Sequence, residues 1–256
     1  MPFAVQDLTL RLGRTEVLHG LSFALPQGGI TGIIGPNGCG KTTLLRCLAG
    51  LLPPESGSLH HAGQPVASLT HRDRARRIAL MPQSAIAPPG LTVRQLVARG
   101  RTPWLRPFRP MTRADEAAVA GALDEVGLTP LADRAVESLS GGQRQRAWIA
   151  LVLAQASGTL LLDEPLNFLD LPHQAGLVQM LRRLGESRSV VMILHDLTIA
   201  ARLCDHVLAL RDGRLVASGP PSDVLADGPL RETFGIGFDC LHLPGSGGPV
   251  VLPAGL

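Results

Sequence analysis

The 256-residue chain has no tyrosine, and only one of its 24 basic residues, Lys41, is a lysine. An arginine guanidinium is a broad planar fork, whereas a lysine ammonium is a compact charge, so the two are not interchangeable in a tight site. In a composition where arginine stands in almost every basic position, the exception indicates a site that requires an ammonium group. Lys41 is therefore the first candidate functional residue.

Long apolar runs are also missing. The longest candidate, residues 147–162, is interrupted by Gln155, Ser157 and Gly158, so we expect no transmembrane helix. The N-terminal residues do not form a basic segment followed by an apolar stretch, which argues against a secretory signal. The four cysteines are Cys39, Cys47, Cys204 and Cys240. They form no CxxC pair, so neither a metal site nor a disulfide framework is indicated, and a reduced cytosolic compartment fits best.

Composition narrows the class of protein further. Hydrophobic residues make up 45% of the chain and charged residues 18%, which excludes a disordered protein. The formal net charge of +3 is too small to indicate a nucleic-acid binder. A chain of this length commonly folds as one compact α/β domain.

Short apolar runs alternate with helical patterns along the chain, which predicts a mainly parallel sheet with helices on both faces. We expect a helical insertion over about residues 85–156 and a short strand or hairpin around 250–252, after Gly235. The predicted strands are 5–12, 17–25, 30–34, 159–162, 190–194 and 207–210, and the predicted helices begin near 42 or span 93–99, 113–126 and 171–184.

The most specific motif is GPNGCGKT, residues 35–42. It matches the phosphate-binding pattern GxxxxGK[ST] and lies between a predicted buried strand and a predicted helix, the context that this pattern requires. The glycines allow backbone N–H groups to surround phosphates, and the helix N-terminus adds its positive end. Lys41 would reach the terminal phosphates, and the Thr42 hydroxyl would bind Mg²⁺.

A second motif places two acids at a strand end. In TLLLDEP, residues 159–165, an apolar run ends at Asp163 and Glu164, which places carboxylates at the sheet edge where α/β proteins bind ligands. We expect Asp163 to bind Mg²⁺, directly or through water, and Glu164 to polarise the attacking water. A solvated strand end is the alternative, and the phosphate loop argues against it.

A third motif, LSGGQ, begins at Leu139. Ser140 and Gln143 have capping-box spacing, which predicts a helix N-terminus. Two glycines inside a helix cost about 1 kcal/mol each relative to alanine, so we interpret Gly141 and Gly142 as a close backbone approach to a ligand. The motif would then form a second phosphate site with the helix dipole.

These motifs, in this order, resemble those of the ATP-binding cassette (ABC) family from about Phe3 to Phe234. The resemblance implies a P-loop α/β core with N-terminal antiparallel strands and an inserted helical subdomain, followed by a short extension over 235–256. It implies roles for Gln83, His195 and the D-loop 167–170, whose Asp170 would contact nucleotide. The resemblance implies that Mg²⁺ is held by Thr42, Gln83 and Asp163. It implies that catalysis uses Glu164, His195 and Gln83. The implied ATP-binding residues are Gly35, Pro36, Asn37, Gly38, Cys39, Gly40, Lys41, Thr42, Thr43, Ser140, Gly141, Gly142, Gln143 and Asp170.

The resemblance also implies partners. ABC cassettes work as head-to-tail pairs, so one copy of each motif implies a homodimer. Stretches such as 96–101, 139–150 and 170–174 resemble cassettes that serve ferric-siderophore, haem and cobalamin uptake, the ferric-enterobactin type in particular. Such importers have separate membrane permeases and a substrate-binding protein. This chain would lie peripherally at the cytoplasmic face of the inner membrane, with segment 85–110 receiving the permease's coupling helix.

Three alternatives remain. The first is a haem or cobalamin importer. The second is a soluble ABC ATPase acting on DNA or ribosomes, which the absence of a heptad run and of a second cassette disfavours. The third is a scaffold without turnover, which Glu164 and His195 disfavour. One position departs from the family, because Leu12 occupies the place of the aromatic residue that stacks on adenine.

Overall fold

The computed structural model describes residues 1–83, 87–167, 169–241 and 248–255. The chain divides into two compact units, one formed by Met1–Leu69 with Leu184–Leu256 and the other by Thr70–Arg183. The strands are β1 Phe3–Leu12, β2 Thr15–Ala24, β3 Gly29–Ile34, β4 Ser56–His61, β5 Gln64–Pro65, β6 Ile78–Met81, β7 Thr159–Leu162, β8 Ser189–Ile193, β9 His206–Arg211, β10 Arg214–Gly219, β11 Phe238–Leu241 and β12 Val250–Pro253.

The helices lie between these strands and, in the second unit, mainly between β6 and β7. They are α1 Lys41–Leu48, α2 His71–Arg77, α3 Val93–Ala98, α4 Arg113–Glu125, α5 Gly141–Ala154, α6 Leu171–Ser187, α7 Leu197–Leu203, α8 Pro221–Val224 and α9 Asp227–Phe234. Within the described residues, none of these helices has the length and apolar character that a membrane span requires.

The first unit contains two larger sheets. Strands β2, β1, β4 and β5 pair in that order, all antiparallel. In the other sheet, β3 pairs in parallel with both β8 and β9, and β10 is antiparallel to β9. Residues 30–34 are all buried, which explains why β3 is an uninterrupted apolar run: a parallel strand covered on both faces has no solvent side. A hairpin of β11 and β12 follows.

The second unit combines two parallel strands with most of the helices. Strand β6 pairs with β7 in register from Ile78 opposite Thr159 to Met81 opposite Leu162. Helices α3, α4 and α5 pack against one another, and each begins with a capping box in which the N-cap hydroxyl and the third helical side chain exchange hydrogen bonds with the backbone. The N-caps are Thr92, Thr112 and Ser140.

The predicted fold class is confirmed, since parallel strands, N-terminal antiparallel strands and helices are all present. The predicted hairpin near the C-terminus is also confirmed. Helix α1, predicted to begin near residue 42, begins at Lys41 and ends at Leu48, and Leu51 is exposed beyond it. The prediction for segment 85–156 begins at Ala85, which with Ile86 lies outside the described residues.

Candidate nucleotide-binding site

The phosphate loop connects β3 to α1 in the first unit. Pro36, Asn37 and Gly38 face solvent at its crest. Lys41 is 6% exposed, and its Nζ donates to the carbonyl oxygens of Gly35 and Pro36, at 2.8 Å each. The ammonium therefore lies inside the curve of the loop, where only a compact charge fits. No side chain caps α1 at its N-cap residue Gly40, and the positive end of the helix dipole favours phosphate oxygens there.

The Leu210 carbonyl group and the Cys39 side chain constrain the shape of the phosphate loop. Gly35 has φ +147°, and a Cβ on it would lie 2.1 Å from the carbonyl oxygen of Leu210. Glycine is therefore required where β3 meets the loop. Cys39 is buried, and burial raises the pKa of its thiol above the ordinary value. Its side chain thus supports the loop as a small neutral group.

His195 lies at the same sheet edge as the phosphate loop. Strands β3 and β8 are parallel, with Ile33 opposite Ile193, and the amide of Leu194 donates to Ile33 at 3.1 Å. The carboxyl ends of both strands therefore coincide. His195 follows directly and is exposed, and Asp196 caps the next helix, α7, by accepting from the amide of Ile199 at 2.8 Å. The first unit thus unites two of the predicted motifs.

The second unit unites another pair at the ends of β6 and β7. The amide of Asp163 donates to Met81 at 2.9 Å, so residues that follow the two strands come close together. Gln83 Nε2 donates to Glu164 Oε2 at 2.5 Å, and Asn167 Nδ2 donates to the same oxygen. Glu164 itself has a left-handed backbone, φ +53°. Its carboxylate is therefore oriented by two amides, one from the glutamine that the sequence indicated.

Asn167 was missed as a site residue, although its segment was identified. The signal was available, because an Asn three residues after a strand-end Glu can reach back to it across a turn. The backbone of Asn167 also donates to the Glu164 carbonyl at 3.3 Å. Phe168, in the middle of the predicted D-loop, lies outside the described residues.

The predicted Mg²⁺ ligands are a hydroxyl, an amide and a carboxylate. Oxygen donors of this kind suit Mg²⁺, which binds few protein groups and keeps phosphate oxygens and waters. Asp163 is 2% exposed at the end of β7, as expected for a carboxylate held for a cation. No cluster of three or more His, Cys, Asp or Glu that could hold a metal occurs among the described residues, so a dedicated protein cage is absent from that part of the chain.

The signature segment forms the predicted helix N-terminus. The amide of Gln143 donates to Ser140 Oγ at 3.3 Å, and the amide of Ser140 donates to Gln143 Oε1 at 3.1 Å. Packing within the chain gives Gly142 a further reason to be glycine. A Cβ there would lie 2.6 Å from His173 Cδ2, whereas Gly141 has nothing within 4 Å. The group that approaches Gly142 is a side chain of the same chain.

Asp170 caps the start of α6 and orients that histidine. Its Oδ1 accepts from the amide of His173 at 3.3 Å and also contacts His173 Nδ1. This side-chain hydrogen bond is the main reason why the pKa of Asp170 lies below its ordinary value. The capping residue of α6 and the signature helix α5 are thus linked through one imidazole.

Leu12, at the end of β1, offers an apolar surface without a ring. The side chain is 45% exposed, and Leu12 pairs with Thr15 across the tight β1–β2 turn. It can therefore contact a planar base by apolar packing only.

The chain is similar in sequence to known proteins over nearly its whole length. The family model described as ABC transporter matches residues 18–167. The ferric enterobactin transport ATP-binding protein FepC of Escherichia coli strain K12 is 42% identical over 252 residues, 98% of this chain and 93% of that protein. The petrobactin import ATP-binding protein FpuD of Bacillus anthracis is 42% identical over 250 residues, 97% of this chain and 92% of that protein.

A solved structure shows the same fold. An inward-facing metal-chelate type ABC transporter superposes with a TM-score of 0.86 and 28% sequence identity, over 98% of this chain and 97% of that chain.

Proposed function

The chain belongs to the ABC transporter family, and from this premise we propose that it is the ATP-hydrolysing subunit of an importer for a ferric siderophore. Family membership establishes ATP binding and hydrolysis coupled to transport. The observation that supports the iron chelate is the naming of relatives matched over more than nine tenths of both chains. FepC is named for ferric enterobactin transport, and the YusV protein of Bacillus subtilis strain 168 for a probable siderophore transport system.

The roles that we propose follow from the two pairs of motifs. The phosphate loop holds the ATP phosphates through Lys41 and the α1 amides, and His195 contacts the γ-phosphate from the same sheet edge. Glu164, oriented by Gln83 and Asn167, accepts a hydrogen bond from the attacking water and draws its proton away. Bound Mg²⁺ would neutralise charge on the phosphate oxygens, with Thr42, Gln83 and Asp163 as its protein-side ligands. Catalysis of this kind is mostly positioning and electrostatics.

We propose that two copies act head to tail. The signature motif would complete the phosphate site of the second copy, because Ser140 and Gly141 are exposed and the space beside the Gly141 backbone is open. We also propose that the subunit works with membrane permeases and that segment 85–110 receives the permease's coupling helix, Ala85 and Ile86 lying outside the described residues. A substrate-binding protein would deliver the chelate, and the subunit would lie at the cytoplasmic face of the inner membrane.

Uptake by cells tests the proposal directly. A strain that lacks this chain should accumulate a radiolabelled ferric siderophore poorly, and the wild-type gene should restore uptake. The Glu164→Gln variant should not restore it, whereas Glu232→Gln, a change at an exposed carboxylate on α9, should restore it fully. Restoration of haem or cobalamin uptake alone would assign the subunit to another chelate, and no effect on any chelate would contradict the proposal.

A further inference from the structure

Part of the second unit carries charge of only one sign. Residues 74–114 contain nine arginines and no aspartate or glutamate. Arg101 is used inside the fold, where its Nη2 lies 3.0 Å from Oδ1 of Asp115. Four others are exposed and have no acidic partner in the ranges that the structure describes: Arg99, Arg106, Arg109 and Arg113. The loop that joins α3 to α4 is therefore strongly positive at its surface.

The start of this loop is firmly anchored. The Trp104 indole N–H donates to the carbonyl oxygen of Gln155 at 2.8 Å. The Arg76 guanidinium lies 4.6 Å from the centre of the Trp104 ring and donates through Nε to Pro103 at 3.1 Å. Stacking and hydrogen bonds thus hold the base of the loop, and residues 106–110, which follow it, are exposed.

The tip of the loop is a tight turn with an unusual residue in it. The amide of Arg109 donates to Arg106 at 3.2 Å, and Phe108 has φ +59°. Pro107 and Phe108 occupy the central positions, where a turn with positive φ in the second position favours glycine. A bulky residue in the left-handed region is strained. Phe108 is nevertheless fully exposed, at 107%.

Neither folding nor solvation explains this phenylalanine. The backbone favours glycine there, and the ring gains no burial in the unit. An apolar ring on a projecting tip, with unpaired arginines on both sides, is instead the pattern that binds a membrane interface: basic groups attract anionic headgroups, and the aromatic ring enters the headgroup region.

We propose that residues 104–113, the arginine loop, bind the anionic phospholipid surface of the membrane that holds the permease. This inference rests on the proposed function, because a permease-bound subunit is held next to a membrane. Segment 85–110, which we assigned to the permease, is then shared between two partners. The coupling helix contacts the part before Trp104, and lipid contacts the part from Trp104 onward. A permease helix would need a groove that covers Phe108, whereas the ring is open on all sides.

Flotation of the full-length protein with vesicles tests the charge contribution. Binding to vesicles of phosphatidylcholine with phosphatidylglycerol should exceed binding to phosphatidylcholine alone and should fall as salt is added. Each arginine near an anionic surface contributes about fivefold to binding. Replacing Arg106 and Arg109 together by alanine should therefore weaken vesicle binding about 25-fold. A matched Arg46→Ala, Arg214→Ala variant, which changes two exposed arginines outside the loop, should bind like wild type.

The Phe108→Gly variant tests the ring separately from folding. Its unfolding temperature should stay the same or rise, because glycine fits the turn, while vesicle binding should weaken on the order of tenfold. Ile236→Ala, at an exposed apolar residue in the first unit, is the matched control.

Several results would overturn the proposal. Failure of the wild-type protein to bind anionic vesicles would overturn it, and so would loop variants that lose no more binding than the control variants. If the loop variants bind vesicles normally but no longer co-purify with the permease in detergent, the loop contacts the permease and not lipid. ATP hydrolysis and chelate uptake are measured in parallel, since their absence in wild type would contradict the proposed function itself.

Discussion

At the residue scale, the geometry around Glu164 is the most informative feature. One of its carboxylate oxygens accepts from both Gln83 and Asn167, and its backbone is left-handed at the end of a buried strand. A non-glycine residue in that conformation is strained and persists where the surroundings hold it in place. The carboxylate is therefore oriented before any substrate binds.

Replacing this carboxylate should separate binding from turnover. We expect Glu164→Gln to cut ATP hydrolysis by about 100-fold or more, because a positioned general base typically contributes 10²–10⁴. ATP affinity should remain near wild type, since the phosphate loop is unchanged. Steady-state phosphate release and nucleotide titration on the reconstituted transporter measure the two quantities. Near-normal hydrolysis would remove Glu164 from the mechanism.

Leu12 leads to a prediction about base selectivity. An apolar side chain without a ring cannot stack, and base–aromatic stacking contributes about 1–3 kcal/mol in nucleic-acid sites. We expect GTP to be hydrolysed at a rate comparable to ATP, and Leu12→Tyr to tighten ATP binding about tenfold, equivalent to about 1.4 kcal/mol. Titration of both proteins with both nucleotides checks this. Strong ATP preference in wild type with no gain in the variant would show that another group holds the adenine.

At the element scale, the contact between α5 and the start of α6 determines what the signature helix tolerates. Gly142 faces His173 so closely that a methyl group would overlap the ring, whereas Gly141 faces open space. The chain therefore offers a matched pair of adjacent glycines in one helix, of which only one is constrained by packing.

Alanine at these two positions should have opposite effects. Gly141→Ala should raise the free energy of unfolding by up to about 1 kcal/mol, because alanine favours the helix. Gly142→Ala should lower it, by about 1–3 kcal/mol for overpacking, and adding His173→Ala should recover much of the loss. Urea denaturation of the four proteins measures these changes. Equal stability of both single variants would show that His173 moves aside freely.

At the scale of the whole molecule, the signature motif and the phosphate loop occur once per chain. If two copies act head to tail, each ATP is held by the phosphate loop of one copy and by Ser140 of the other. The complete site is then a property of the pair.

Mixed dimers test this arrangement. Lys41→Ala disables a phosphate loop and Ser140→Arg disables a signature motif, so each variant alone should be inactive. A heterodimer of the two keeps one intact composite site, and we expect mixing them on the permease to restore part of the ATPase activity. Mixing Lys41→Ala with wild type at the same ratio is the control. No recovery in any mixture, with both variants folded, would contradict a shared site.

The sequence by itself determined several of the strands, the helix cap at Ser140 and the phosphate loop, because each depends on neighbours in the chain. Lys41, the acids after β7 and the capping box at Ser140 all follow from contiguous motifs whose spacing fixes their conformation. Local sequence patterns also predicted the bounds of β3, β8 and α4 to within a few residues of the observed ones. Short or half-buried elements such as β6 and β10 had no such signal.

Only the tertiary structure decided which distant residues meet. Gln83 and Glu164 are 81 positions apart and come together because β6 and β7 pair in parallel. His173 explains Gly142 only once α5 and α6 are packed, and the outward direction of Phe108 depends on the anchoring of Trp104 to Gln155. Spacing along the chain encodes local backbone geometry, whereas these contacts depend on strand register and helix packing, which the whole fold sets.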